Sequence, residues 1–124
     1  MKAWNLAFCL AALVAVSCAT SQSRFSMLGQ PFPAKPEGSE VTVFREGAPT
    51  RPFTKISRLD VHLEKAGFIG SSLEDALPEL KKQARLSGAD AIIEIREQTS
   101  MVGETKIYHV TASGIHYTEA APGK

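Results

Sequence analysis

The sequence predicts a small α+β domain, a four-stranded mixed sheet with one helix packed on one face, in the order ββαββ. Three observations predict it. From Ser71 to Glu97 a helix start, a helix stop and a strand signal follow one another without a gap. Upstream, Leu59, Val61 and Leu63 alternate with Arg58, Asp60, His62 and Glu64, the pattern of a strand with one buried and one wet face. Downstream, a glycine turn at Gly103 leads into a long alternating run from Lys106 to Tyr117.

The helix is the best-specified element. Leu73, Ala76, Leu77, Leu80 and Ala84 recur at spacings that put all five on one apolar stripe at about 100° per residue. Ser71 stands three residues before Glu74 and Ser72 three before Asp75, so either serine can cap the free N–H groups while the acid reaches back. The acids lie at the positive helix start and the basic residues later, as the helix dipole favours. Gly88 supplies the left-handed position that ends a helix without a Cβ penalty. Pro78 is the one local conflict, because it removes a backbone donor, but its direction on the helical wheel is the solvent side.

The strands are read in the same way. Val41 to Phe44 is a short first strand, followed by a turn marked by Gly47, Pro49 and Pro52. Ile56 breaks the alternation of the second strand, which places a bulge or the strand's start near Ser57. After the helix, Ala91 to Glu97 is the third strand, and a strand–helix–strand crossover leaves its two strands parallel. The last strand returns antiparallel, with Tyr108, Val110, Ala112 and Gly114 on one face and Ile107, Ile115 and Tyr117 on the other. A single helix buries only one face. The second is therefore expected to be covered by Phe25 or Phe32 of the upstream segment, by a second copy, or by another protein of the cell envelope.

With 124 residues, 44% apolar and 22% charged, the chain is one small domain and not a disordered polymer. Its start has a separate purpose. Lys2 precedes an apolar run from Leu6 to Val16, followed by small residues, the layout of a secretory signal. Eleven residues rise only about 16 Å as a helix and cannot span a hydrocarbon core of about 30 Å. Ala15, Val16, Ser17 and Cys18 resemble the lipobox of bacterial lipoproteins, in which the cysteine thiol is acylated and becomes the new N-terminus. The alternative is a general signal peptidase that cuts after Ala19, with Ser17 and Ala19 as the small pair.

The expected division is a signal peptide over residues 1–17, an acylated Cys18 and flexible Pro/Ser-rich tether over 18–39, the α+β domain over 40–119 and a tail over 120–124. Within the tether, Pro31 to Pro36 is open to a second reading, as an edge segment lying on the domain. Cys9 lies inside the leader, so with Cys18 acylated the exported chain has no thiol left for a disulfide. Lys plus Arg number 14 and Asp plus Glu 13; loss of Lys2 makes the two equal, so net charge attracts neither nucleic acid nor anionic lipid.

Catalytic and ligand-binding signals are sparse. Gly67, Gly70, Ser71 and Ser72 stand where a strand passes into a helix, a place that can hold phosphate, but no phosphate-loop fingerprint accompanies them. Asp60, His62 and Glu64 share one strand face and are the candidate metal ligands, although the same pattern describes a solvated face. His109 and His116 are an odd number of residues apart and fall on opposite faces. No serine stands in a Gly-x-Ser-x-Gly setting and no exported thiol remains, so no enzyme activity and no cofactor are expected.

The stretch LEDALPELKKQARLSGADAIIEI, with YHVTASGIHY in the last strand, resembles a group of small bacterial lipoproteins of unknown function. That group is distantly similar to YbjQ-like heavy-metal-binding domains and to the sensor lipoprotein of the Rcs envelope-stress pathway. The shared pattern, Leu77, Leu80, Lys81 and Ala84 followed by Gly88 to Ile93, covers packing positions, and no ligand residues carry over. The resemblance implies a lipid-anchored envelope protein. Ala19, which is not Asp, follows the acylated cysteine, and by resemblance to lipoproteins of two-membrane bacteria this implies delivery to the outer membrane, facing the periplasm.

Overall fold

The computed structural model describes residues 20–66 and 72–118. Its elements are β1 (Thr20–Met27), β2 (Thr42–Val43), β3 (Phe53–Ala66), α1 (Leu73–Ser87), β4 (Ala91–Val102) and β5 (Thr105–Tyr117). The strands form one sheet in the order β1-β3-β5-β4-β2. All neighbours are antiparallel except β2 and β4, so the sheet is mixed. The fold is α+β with one helix, as the sequence predicts.

The sheet has five strands, not four, and the extra one comes from the segment that composition assigned to a tether. Residues 20–27 pair along their whole length with β3, from Thr20 opposite Glu64 to Met27 opposite Ser57. Composition misleads here because an edge strand is held mainly by backbone hydrogen bonds and buries only part of one face. In β1 that part is Phe25 and Met27, both half-buried against the core. The rest of the segment is also docked. Phe32 packs on the same core, and the Lys35 N–H donates to the Arg85 carbonyl at 2.8 Å.

β3 and β4 run in the same direction, as the crossover requires, but β5 is inserted between them. The turn between β4 and β5 is a tight two-residue connection in which Gly103 takes φ 61°, a conformation that such hairpins need and glycine adopts freely. The irregularity expected near Ser57 is a register shift between Lys55 and Ser57 against β5. It lets Ile56 and Ser57, adjacent in sequence, both be buried.

Helix α1 has Ser72 as its N-cap, with the Ser72 N–H donating to the Asp75 carboxylate at 2.9 Å. Pro78 is exposed and the helix runs on through it. Of the apolar stripe, Ala76, Leu80 and Ala84 are fully buried, and Leu73 and Leu77 lie at its margin. They pack on Leu59, Val61 and Leu63 of β3 and on Tyr108, Val110 and Ala112 of β5. Gln83 and Ser87 are buried as well. Gln83 donates to Ser23 of β1 at 2.9 Å, and Ser87 donates to the Ala84 carbonyl, so neither polar group is left without a partner. Gly88 ends the helix at φ 85°, and a Cβ there would meet Phe32 Cβ and the Pro33 carbonyl oxygen at 2.7 Å. Only glycine lets the 32–35 strap lie so close.

The opposite face of the sheet carries a second cluster at one end. Ala91, Ile93 and Ile115 are buried there beneath Phe44, Phe53 and Tyr117. The expectation that Phe25 or Phe32 would cover this face is therefore corrected, since both belong to the helix-side core. Strand parity decides it, because Phe25 lies opposite Leu59 and points with it toward the helix.

Gly114 lies at the tightest approach of β5 to the rest. A Cβ added there would stand 2.2 Å from Ser57 Oγ and 3.0 Å from Ala89 Cβ. Gly114→Ala should lower stability by about 1–3 kcal/mol through overpacking. Adding Ser57→Ala removes the nearer clash and should recover part of the loss, which urea melts of the single and double variants will measure. Additive losses in the double variant would show that the Ser57–Gly114 contact is not the cause.

Candidate functional site

On the face away from α1, the pairing of four strands arranges polar side chains in rows. Gln22, His62, His109 and Gln98 form one row across β1, β3, β5 and β4; Arg24, Asp60, Thr111 and Arg96 form the next; Ser26, Arg58 and Ser113 form a third. Each row follows from the two-residue period of the strands once β3 and β5 are in register. This face, apart from its apolar end, is where polar and charged side chains are aligned.

The candidate metal ligands Asp60, His62 and Glu64 do share this face, but they are not brought together. Asp60 turns across to β5, with Oδ1 2.6 Å from His109 Nε2, and lies 4.0 Å from Arg24. His62 Nε2 instead meets Glu64 Oε1 at 2.9 Å. The rings of His62 and His109 meet edge-on with centroids 6.0 Å apart. Among the described residues no group of three His, Cys, Asp or Glu side chains is placed to hold a metal ion. His109 was the missing partner of Asp60, and only the pairing of β3 with β5 reveals it.

Beside these rows lies an open cleft of about 330 Å³, lined by Leu28, Arg58, Glu94, Arg96, Thr111 and Ser113 among others. Its wall is shaped by a register shift in β4 between Ile93 and Arg96, where Glu94 adopts a positive φ of 55°. A non-glycine residue in that region is uncommon and persists where its surroundings fix it. Here Lys55 Nζ and Ser113 Oγ each donate to the Glu94 carboxylate at 2.8 Å. The Lys55 hydrogen bond, followed by that of Ser113, holds the Glu94 carboxyl below its usual value. Arg58 and Arg96 reach over the cleft from exposed positions. Two guanidinium groups beside the Thr111 hydroxyl, with the Glu94 carboxylate already bonded to Lys55 and Ser113, form an arrangement suited to a small anion.

The other sequence candidates lie elsewhere. Cys18, with every residue before Thr20, and Gly67, Gly70 and Ser71 ahead of α1 lie outside the described residues. Ser72 serves as the helix cap, and its N–H is already taken by Asp75. His116 lies on the opposite face from His109, as expected, and packs on Phe32 with ring centroids 4.7 Å apart. Tyr108 is buried on the helix side with its hydroxyl donating to Glu97; burial, reinforced by that carboxylate, holds the phenol well above its ordinary range and so protonated.

The chain matches no family model, no curated protein and no solved structure.

One ionic cluster holds the strap to the sheet. Asp90 lies 2.7 Å from Lys35 Nζ, accepts from the Tyr117 N–H at 2.9 Å, and stands 3.1 Å from His116 Nδ1. The last contact is off the line of a hydrogen bond and is electrostatic only. Burial pushes the Asp90 carboxyl up, but Lys35, the Tyr117 N–H and His116 together outweigh it and leave the value lowered. A carboxylate lowered on folding contributes stability above its unfolded value of about 3.9, and that contribution is lost as pH falls through the folded value. Asp90→Asn should therefore cost about 1 kcal/mol at pH 7, a charged hydrogen bond discounted for partial exposure. The gap to the native protein should narrow below about pH 4, which thermal melts across that range will show. A gap independent of pH would remove Asp90 as the titrating group.

Proposed function

We propose that this protein is a non-enzymatic, lipid-anchored lipoprotein of the bacterial envelope that presents a small α+β domain for interaction or sensing. The observation that carries the proposal is Cys18, placed directly behind an apolar run too short to span a membrane and preceded by small residues. Acylation converts the exported chain from soluble to anchored. One acyl chain binds only marginally, and each further chain adds about 0.8 kcal/mol per buried CH₂, so the three chains of the lipoproteins it resembles would not let go. Its resemblance to small bacterial lipoproteins supports the same reading, and Ala19 after the cysteine favours the outer membrane, facing the periplasm. The rows of charged and hydrogen-bonding side chains on the open sheet face are what such a domain would offer a partner.

The cleft between Arg58 and Arg96 favours a second reading, a periplasmic module that binds a small molecule, here an anionic one. The two readings are separable. Cys18→Ser should move the protein from the membrane to the soluble envelope fraction and change its intact mass by loss of the acyl groups. A variant that stays in the membrane with unchanged mass would refute the anchor. Titration of the protein with phosphate and carboxylate compounds, and with Zn²⁺, should raise the melting temperature by several degrees at a hundredfold excess over the dissociation constant if the cleft or the histidine row binds them. An unchanged melting temperature with every compound would leave the first reading alone.

A further inference from the structure

We infer that the tip of the β4–β5 hairpin rests in the lipid surface to which Cys18 is attached, so that the sheet stands end-on to the membrane; this rests on the lipoprotein reading of Cys18. The first argument is chain length. Thr20 already pairs with Glu64 in β3, and only Ala19 lies between it and Cys18, which is thus two residues back along the chain. Two residues reach at most about 7 Å, so the acyl chains hold this end of the sheet at the bilayer and no long tether intervenes.

The second argument is what that end of the sheet carries. β3 ends at Ala66 opposite Thr105, and Thr105 pairs with Val102 across the hairpin. The tip thus lies at the same end as Thr20. Met101 is 53% exposed and Val102 64%. The other large exposed apolar side chains among the described residues, Leu28 and Leu86, follow β1 and close α1, at the far end of the sheet.

The third argument selects lipid over a protein partner. Met101 and Val102 are consecutive in a strand and so point to opposite faces of the sheet. A partner docking on either face covers one of them, whereas a medium entered along the strand axis covers both. Charge does not drive the contact. Glu104 in the turn offsets Lys106 beside it, and Lys65, opposite Lys106, is 3.3 Å from Asp75. Two strand residues extend about 7 Å, within the depth of roughly 5–10 Å that interfacial apolar side chains occupy. The cleft at Arg58, six residues back along β3 from Glu64 at the lipid surface, is then held about 20 Å from the lipid and open to the periplasm.

The sequence provides a clean probe. Its one tryptophan, Trp4, is in the leader and is lost with it, so a substituted tryptophan is the only one in the mature protein. Val102→Trp and Thr50→Trp, the second in the exposed loop at the far end, are to be made in the full chain, purified from membranes and reconstituted in phosphatidylcholine vesicles brominated near the headgroup. Val102→Trp should be quenched several-fold more than Thr50→Trp, and equally at low and high salt, because the contact is apolar. Intact mass is measured on the same samples. A chain without acyl groups would overturn the anchor and the apposition with it. An acylated chain with both positions equally quenched, or neither, would overturn the apposition alone. So would a Val102→Trp emission shifted to the blue but untouched by bromine, which would place the tip against a second copy.

Discussion

The pairing of β3 with β5 is the constraint on which the rest of the structure depends, because it sets which side chains point to the helix and which to the open face over the whole length of both strands. It brings Leu59, Val61 and Leu63 alongside Tyr108, Val110 and Ala112 as a floor for α1, and the same register puts His62 opposite His109. A slip of one residue would exchange the two faces. The register shift at Lys55–Ser57 confines that risk by burying Ile56 and Ser57 at one defined point, where Gly114 leaves room for the Ser57 hydroxyl and Ser87 lies 2.8 Å from it.

Residues 20–41, which precede β2, are best understood as part of the domain. β1 closes one edge of the sheet, and the strap that follows passes the helix end at Gly88 and is pinned by Lys35 on Asp90. Small domains of this size bury a modest share of their surface and lack stability to spare. Recruiting residues 20–35 adds Phe25, Met27 and Phe32 to a core that has no disulfide among its resources. The same recruitment brings the strand pairing to Thr20, two positions after Cys18 in sequence.

The open face was only partly legible. That Asp60, His62 and Glu64 lie together on one side of β3 follows from their two-residue spacing, and the structure agrees. What they do there does not follow. Asp60 bonds to His109, forty-nine positions away, and the cleft is built from β3, β4 and β5 together with Leu28 after β1. No local pattern encodes such a neighbourhood, since it depends on β5 being inserted between β3 and β4 and on the irregularity that turns Glu94 toward Lys55.

Local signals did determine α1 and its ends, because an N-cap with its acid three residues on, an apolar stripe and a left-handed glycine each act within a few residues of chain. They also determined the irregularity beside Ser57, visible as a break in a period of two, and the antiparallel return of the last strand after Gly103. Only the tertiary structure decided the number of strands, their order and the partner that covers Ile115. Those depend on backbone hydrogen bonds that any side chain can accompany, as in the serine-rich β1, and on which distant segment reaches a surface first. Phe44, Phe53 and Tyr117 cover Ile115 because the strands that carry them end there, while Phe25 faces the helix because β1 pairs in one register and not the next.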